Sequence, residues 1–134
     1  MTIDVKLDPG ASMPERAKAG DVGYDLRALH DWIVSREGTI VPTGVHIALP
    51  MNVMGLILGR SSLAALGIDV LGGVIDPGYR GEIGVVLQGD SFYINAGDRI
   101  AQLVFVPVLT PELVQVDVID ETERGEGGFG STGR

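Results

Sequence analysis

One carboxylate in this chain stands where a general base could be held. Asp76 follows the apolar run that ends at Ile75, and Pro77 and Gly78 come directly after it. An aspartate before Pro-Gly is most often only a turn residue, because its side chain hydrogen-bonds the turn backbone. Held on a rigid hairpin within hydrogen-bond reach of a water, the same carboxylate can remove a proton from that water. Taken alone, Asp76 leaves both interpretations open.

The tripeptide Arg60-Ser61-Ser62 has the residue types of a phosphate site. It follows an apolar run that ends at Leu58 and precedes a predicted helix. A guanidinium beside the free amides of a helix start binds phosphate readily. A surface arginine followed by an ordinary serine cap explains the same residues. The tripeptide therefore indicates an anion site only in company with other signals.

The stretch 124–134 differs in composition from the rest of the chain. It is rich in glycine and nearly free of large apolar side chains, which predicts a disordered tail. It does not fit a phosphate loop, because Ser131 stands where that loop requires lysine and no strand precedes it. A mobile, amide-rich arm can still wrap an anion with backbone N–H groups, two hydroxyls and Arg124. Phe129 is then free to stack on a base.

Short β-strands must position these segments. Twenty glycines and seven prolines are scattered along the chain and divide it into short pieces. The strand signals are alternating apolar residues over 3–7, 45–49 and 114–118, and β-branched apolar runs over 53–58, 83–87 and 100–106. Many short strands separated by turns predict an all-β sandwich or barrel.

Two segments need a separate interpretation. A short helix is predicted over 62–66, with Ser61 or Ser62 as its N-cap and Gly67 as its C-terminal glycine. The stretch 24–37 contains neither glycine nor proline and has near-helical apolar spacing, but we expect it to be extended. The predicted architecture is therefore one β-domain with one helical turn.

Charge and composition narrow the classes of partner. A chain of 134 residues with ten basic and eighteen acidic side chains predicts one domain with a net charge of −8. That charge repels nucleic acid and anionic lipid, so neither is expected as a partner. The absence of cysteine and the presence of only two histidines disfavour zinc sites. No apolar run reaches about 18 residues, and the N-terminal residues lack a signal core, which together predict a cytoplasmic protein.

Five segments, taken together and in order, resemble the five signature motifs of the trimeric dUTPase family. They are residues 19–28, 59–64, 73–82, 96–103 and 124–133. The resemblance runs from about residue 19 to the C-terminus. It implies a jelly-roll-like distorted β-barrel of the β-clip type, assembled as a homotrimer. It also implies a barrel domain over 1–123 and a flexible arm over 124–134 that closes over the active site.

The resemblance implies hydrolysis of dUTP to dUMP and pyrophosphate. Such an activity limits uracil incorporation into DNA and supplies dUMP for dTMP synthesis. In this family the counterpart of Asp76 is the general base for a water that attacks the α-phosphorus. The cofactor implied is Mg²⁺, held through water by Asp25, which suits a hard cation that keeps its hydration shell. Each site would be built from all three subunits.

The resemblance also implies which residues bind the substrate. The phosphates are assigned to Arg60, Ser61, Ser62, Gln102, Arg124, Ser131 and Thr132; the uracil to Gly72, Gly73, Val74, Ile75 and Phe129; and the deoxyribose to Tyr79, with Gly130 part of the closing arm. Asp98 and Arg99 are interpreted as structural, forming a turn and an ion pair.

Two rival functions share this fold. A dCTP deaminase resembles the second and third motifs equally well, but it needs a glutamate where this chain has Val86 and an arginine where it has Ala65. Valine cannot transfer protons, so deamination is not expected. A non-catalytic nucleotide sensor would not need the Asp76 carboxylate beside Arg60 and Tyr79. Hydrolysis of dUTP is therefore the function that the sequence predicts.

Overall fold

The computed structural model describes residues 1–130, and it is almost entirely β-structure. Its elements in chain order are β1 (Asp4–Leu7), β2 (Tyr24–Arg27), β3 (Trp32–Val34), β4 (Thr39–Pro42), β5 (Val45–Ala48), β6 (Val53–Leu58), α1 (Ser61–Ala64), β7 (Asp69–Leu71), β8 (Val74–Ile75), β9 (Gly84–Gln88), β10 (Phe92–Ile94) and β11 (Arg99–Pro107). The all-β prediction is confirmed. The stretch 24–37 is extended as expected, since it contains β2 and β3.

The strands form small antiparallel sheets around one core. The largest has the order β2-β11-β6-β8, and a second has the order β4-β9-β7. Two strand pairs, β1 with β5 and β10 with β3, complete the described part of the chain. The long strand β11 pairs with β6 along one edge and with β2 along the other, so it lies in the middle of the largest sheet.

The period-two alternation of the sequence selects the side chains that fill the core. In β6, Val53, Gly55 and Ile57 are buried, while the residues between them are partly exposed. In β9, Val85 and Leu87 are fully buried in the same way. Burying side chains of this size contributes about 1.5–3 kcal/mol each relative to leaving them exposed. The alternation therefore both defines the strands and joins the sheets.

One predicted strand does not form. Val114, Val116 and Val118 alternate as a strand should, but the segment after Pro107 contains no strand within the described residues, and these side chains are 72%, 58% and 82% exposed. The prediction is wrong for the single chain because a strand needs a partner for its backbone N–H and C=O groups. The alternation nevertheless leaves an apolar ribbon facing solvent.

The helix is shorter than the predicted segment 62–66. It is a single turn, Ser61–Ala64, and its N-cap is Arg60, which makes no side-chain capping hydrogen bond. The predicted serine cap is therefore wrong, because both serines lie inside the turn. Gly67 does adopt the left-handed φ of +79° that favours glycine after a helix. Among residues 1–130, no helix is long and apolar enough to cross a membrane.

Candidate functional site

An open cleft of about 650 Å³ gathers four of the predicted site residues, namely Asp25, Arg60, Ser61 and Gln102. The strand register explains their proximity. Gln102 in β11 lies opposite Asp25 in β2 on one side and opposite Leu58 in β6 on the other. Arg60 and Ser61 follow directly where β6 ends. Residues far apart in sequence thus form one row across three neighbouring strands.

The Asp25 carboxylate is flanked by two guanidinium groups. Its side chain is only 19% exposed, and its Oδ1 lies 3.5 Å from Arg60 Nε. Its Oδ2 lies 3.8 Å from an Nη atom of Arg99. Immediately around the Asp25 carboxylate the two guanidinium groups outnumber the one anion, while Asp21 lines another part of the cleft in a chain whose net charge is −8. Such a local excess can attract a polyphosphate in spite of the overall negative charge.

Arg99 is a cationic residue of this cleft that sequence reasoning did not assign to the substrate. It forms the expected ion pair, but it also lines the cleft. In a regular strand, Arg99 and Gln102 would point to opposite faces, because side chains alternate. The β11–β2 register shifts between Arg99 and Ala101, and this irregularity turns Arg99 towards the same side as Gln102. No local sequence signal marks such a bulge.

Two hydrogen bonds fix the polar groups of the cleft. The Gln102 Nε2 donates to the Gly59 carbonyl at 2.9 Å, which leaves its amide oxygen beside Gly23. A Cβ at Gly23 would displace that amide oxygen, so a larger residue there would disturb the position of the Gln102 side chain. An Nη atom of Arg60 donates to the Arg99 carbonyl at 3.4 Å, and this hydrogen bond helps to hold the Arg60 guanidinium in position. The cleft is therefore held in place before any ligand binds.

The segment that carries Asp76 links two sheets. The sequence suggests a hairpin, but in the described structure β7 pairs with β9 and β8 pairs with β6. Gly72 and Gly73 make the crossing with φ values of +68° and +125°. The Gly73 carbonyl accepts a hydrogen bond from the Ile57 amide at 2.7 Å. A Cβ at Gly73 would lie 2.6 Å from the Ile57 carbonyl oxygen, so only glycine fits.

A tight turn follows β8 and presents Asp76 and Tyr79 to solvent. The Tyr79 amide donates to the Asp76 carbonyl at 3.1 Å. The Tyr79 hydroxyl donates to the Glu82 carbonyl at 2.8 Å, which fixes the ring. The Tyr79 side chain is nevertheless 45% exposed and Asp76 is exposed as well. Both groups are therefore accessible to a ligand.

Within one chain, the turn and the cleft do not meet. Ile75 lies opposite Gly55 near the start of β6, whereas Arg60 follows its end. Five residues of extended chain separate Gly55 from Arg60, which is roughly 16 Å at about 3.3 Å per residue. None of residues 72–79 lines the cleft. A single chain therefore brings together the predicted phosphate residues but not the predicted base.

The described part of the C-terminal arm also lies apart from the cleft. The Arg124 Nε donates to the Gly127 carbonyl at 2.8 Å, so this guanidinium is used locally. Phe129 is fully exposed with a positive φ of +49°, and Gly130 has a φ of +81°. The predicted phosphate ligands Ser131 and Thr132 lie outside the described residues.

The cleft fits a hydrated magnesium ion shared with a substrate. Among residues 1–130, no three acidic, histidine or cysteine side chains converge as a complete metal cage. Mg²⁺ commonly binds through one or two carboxylates, water and substrate phosphates. The partly exposed Asp25 carboxylate, in an open cleft that is also lined by Arg60 and Arg99, offers that kind of donor set.

Comparisons with known proteins agree on one family. The dUTPase family model matches residues 10–133. A mitochondrial deoxyuridine 5'-triphosphate nucleotidohydrolase from Dictyostelium discoideum is 47% identical over 133 residues, which are 96% of this chain and 74% of that protein. The Staphylococcus bacteriophage 80alpha dUTPase with dUPNHPP superposes with a TM-score of 0.90 at 32% identity, covering 99% of each chain.

A second phage structure bears on the metal. A mutant dUTPase from phage phi11 of S. aureus, described with a coordinated structural Mg(II) ion, has a TM-score of 0.80 at 29% identity. It covers 88% of this chain and 98% of its own. These structural similarities confirm the predicted β-clip, jelly-roll-like fold.

Proposed function

This chain belongs to the dUTPase family and is a dUTP diphosphatase, and we propose that it uses Asp76 as the general base of the reaction. The reaction converts dUTP and water to dUMP and pyrophosphate. The observation that best supports dUTP as the substrate is the row of Asp25 on β2, Gln102 on β11 and Arg60 just after β6, because it makes a site for a triphosphate chain. The product dUMP supplies dTMP synthesis, and removal of dUTP limits uracil incorporation into DNA.

The cleft binds the triphosphate. Arg60 and Gln102 face the phosphate chain, with Ser61 and the Ser62 amide contacting the α- and β-phosphates. Charge-assisted hydrogen bonds of this type are roughly twice as strong as neutral ones. Asp25 would hold Mg²⁺ through water, and the bound ion would supply positive charge to stabilise the leaving pyrophosphate. We add Arg99 to this set, because its guanidinium lies 3.8 Å from Asp25 and lines the same cleft.

The turn supplies the base. The Asp76 carboxylate accepts a proton from a water whose oxygen attacks the α-phosphorus. As the new phosphorus–oxygen bond forms, the bond from the α-phosphorus to the α,β-bridging oxygen breaks, and pyrophosphate leaves. The exposed carboxylate on a hydrogen-bonded turn has the access and the rigidity that general base catalysis requires.

The backbone around Gly72 and Gly73, just before the turn, recognises the uracil of the substrate. Backbone groups of Gly72, Gly73 and Val74, with Ile75 beside them, pair with the uracil edge as a neighbouring strand would. A Cβ at Gly72 would meet nothing, so the space in front of this backbone is free for a ligand. The Tyr79 ring, fixed by its hydroxyl, forms the floor under the deoxyribose and excludes a 2′-hydroxyl.

We further propose a homotrimer whose sites are shared between subunits. The first support is the distance within one chain of roughly 16 Å along β6 between the Asp76 turn and the phosphate cleft. The second is the apolar ribbon after Pro107, because its exposed side chains would be buried by contact with another copy of the chain. These are Leu109, Leu113, Val114, Val116, Val118 and Ile119.

The arm 124–134 closes a site of another subunit over the barrel domain 1–123. Arg124 and the hydroxyls of Ser131 and Thr132 bind the phosphates, and Gly130 lets the chain bend over them. Phe129 covers the uracil; a fully exposed phenylalanine among glycines is suited to this role. A cytoplasmic location remains a prediction, because the relatives include a mitochondrial protein.

One assay separates this function from its rivals. Pyrophosphate release is measured with Mg²⁺ and dUTP, UTP, dCTP or dTTP, and ammonia is measured in parallel. We expect pyrophosphate from dUTP only, and no ammonia. Ammonia from dCTP would indicate a deaminase, although Val86 in β9 offers no proton-transfer group. Tight dUTP binding without pyrophosphate would indicate a sensor.

A further inference from the structure

Outside the cleft, His46 in β5 forms a cluster with Asp8 and Arg80. The His46 Nδ1 lies 3.0 Å from the carbonyl oxygen of Arg80. Its Nε2 lies 3.1 Å from both carboxylate oxygens of Asp8, which follows β1. The His46 side chain is 20% exposed and that of Asp8 33%. The imidazole therefore joins two segments that are 38 and 34 residues away from it in sequence.

Both partners of His46 are hydrogen-bond acceptors. A backbone carbonyl and a carboxylate accept hydrogen bonds, and a neutral imidazole has only one N–H to donate. Both contacts are satisfied together only when both ring nitrogens carry a proton, which is the imidazolium form. In agreement, the hydrogen bond to the Arg80 carbonyl and then that to Asp8 raise the pKa of His46.

The Arg80 end of this cluster reaches the Asp76 turn. An Nη atom of Arg80 donates to the Pro77 carbonyl at 2.6 Å and to the Tyr79 carbonyl at 3.1 Å. The Arg80 side chain thus braces the turn while His46 holds the Arg80 backbone. A displacement of the Arg80 backbone would therefore move the turn that carries Asp76.

Other links tie the same region to the start of β5. The Ile83 amide donates to the Val45 carbonyl at 2.8 Å, and the Thr43 hydroxyl donates to the Ile83 carbonyl at 2.6 Å. The Gly44 amide donates to the Glu82 carboxylate at 3.1 Å. Among the side chains that hold this region, histidine is the one whose charge ordinarily changes near neutral pH.

We propose that His46 is a positioning residue of the hydrolysis: as an imidazolium it anchors Arg80, and through Arg80 it holds Asp76 where water attack is fast. The inference rests on the proposed role of Asp76. Loss of the His46 proton leaves one of the two acceptors without a donor, so the turn gains freedom and the rate falls. A small misplacement of a reacting group is sufficient for a large loss of rate.

The charges around His46 determine the direction of the pH effect. Asp8 faces Nε2 and favours the proton, while Lys6, opposite His46 in β1, opposes it. Asp4 and Arg80 line a shallow pocket of about 340 Å³ together with His46. The Glu82 carboxylate accepts a hydrogen bond from the Gly44 amide, next to β5. Because the balance raises the pKa of His46, the proton is lost on the alkaline side of its ordinary titration.

The test compares pH profiles of kcat and KM for dUTP hydrolysis in the wild type, His46→Gln, Asp8→Asn and His30→Gln. We expect the wild type to lose about 3- to 10-fold in kcat as His46 deprotonates, with KM nearly unchanged. In His46→Gln that alkaline limb should vanish and kcat should be low throughout. In Asp8→Asn the limb should move to lower pH. His30→Gln, a change of the other histidine on an exposed loop, should match the wild type.

Proton NMR gives a readout that does not depend on catalysis. The chain has only two histidines, so His30→Gln assigns the His46 ring signal directly. We expect the His46 pKa above the ordinary value near 6.5, and faster amide exchange over 78–83 in His46→Gln. An ordinary or lowered His46 pKa, or an unchanged alkaline limb in His46→Gln, would overturn the proposal. Should Asp76→Asn retain full activity while the His46 titration and exchange behave as expected, the base assignment fails and the anchor of the turn stands.

Discussion

Asp76 and Arg60 lie beside opposite ends of one strand, β6. Ile75 pairs with Gly55 near the strand's start, and Arg60 follows its end, so roughly 16 Å of extended chain lies between the two positions. Both residues are proposed to act on one dUTP, Asp76 on the attacking water and Arg60 on the phosphates. We therefore propose that the Asp76 and the Arg60 of one site come from different copies of the chain.

Deleting everything after Glu123 should leave a folded trimer without activity. The residues from 124 onwards contribute no buried apolar side chain within the described structure, so the core is unchanged by their loss. Catalysis should nevertheless be lost, because the phosphates no longer contact Arg124 and the rest of the arm. Size-exclusion chromatography and circular dichroism check the assembly, and pyrophosphate release checks the rate.

The same deletion, mixed with Asp76→Asn, tests whether sites are shared. After subunit exchange, some mixed trimers should combine an intact Asp76 with an intact arm and regain activity. Each variant incubated alone is the control. Absence of activity after mass spectrometry has confirmed exchange would mean that each site belongs to one chain.

Asp76→Asn should slow hydrolysis by about 10²–10⁴-fold, the usual contribution of a general base, with little change in dUTP affinity. The amide cannot accept the proton, but it preserves the size of the side chain in an exposed turn. Asp69→Asn, at an exposed aspartate of β7, is the matched control. Steady-state kinetics and binding of a non-hydrolysable analogue measure the two effects, and an unchanged kcat would remove Asp76 from the mechanism.

Asp25→Asn should raise the Mg²⁺ concentration for half-maximal activity by about 10-fold or more, because a neutral amide holds the hydrated cation less well. The substitution also frees Arg60 and Arg99 from their shared anion. Titration of activity with Mg²⁺ after removal of metal by EDTA measures the effect. Glu37→Gln, at an exposed acid of the turn between β3 and β4, is the control; equal Mg²⁺ dependence in Asp25→Asn and wild type would contradict the assignment.

Tyr79→Ala should weaken the preference for dUTP over UTP by roughly 10- to 100-fold in kcat/KM, since the ring that excludes the 2′-hydroxyl is gone. Tyr79→Phe keeps the ring and loses only the hydrogen bond to the Glu82 carbonyl, so it should retain most of the preference. Competition assays with the two nucleotides measure the ratio. Full selectivity in the alanine variant would move sugar recognition elsewhere.

The His46 cluster should make stability depend on pH in one direction. A histidine whose pKa is raised on folding adds stability below its unfolded value near 6.5, and that contribution is lost as pH rises through the folded pKa. Wild type should therefore exceed His46→Gln in free energy of unfolding by more at about pH 5.5 than at about pH 8.5. Urea unfolding at fixed protein concentration measures both differences, and a gap that grows with pH would contradict the sign.

The residue types of the cleft could be predicted from the sequence, but their geometry could not. Asp25, Arg60 and Gln102 stand out because they lie in motifs with chemical meaning. The row that they form depends on which strands pair and in what register, which is set by contacts distant in sequence. Arg99 enters the cleft only through a bulge, and a bulge has no local signature beyond the residues around it.

A local strand pattern does not show whether the segment has a strand to pair with. The alternation of Val114, Val116 and Val118 encodes an amphipathic extended segment but not the strand with which it pairs. The sequence distinguishes His46 only as one of two histidines. Its significance comes from Asp8 and the Arg80 carbonyl, which the fold brings to opposite nitrogens of one ring.

The amino-acid sequence by itself determined the β class, the burial pattern of the strands, the family and the identity of the reactive groups. These properties depend on residue type and short-range spacing, which a linear chain contains in full. Only the tertiary structure decided that the cleft and the Asp76 turn lie beside opposite ends of β6, that Arg99 joins the cleft and that His46 lies between Asp8 and the Arg80 carbonyl. Distances of this kind arise from long-range pairing, whose register is chosen by the burial of all the strands together.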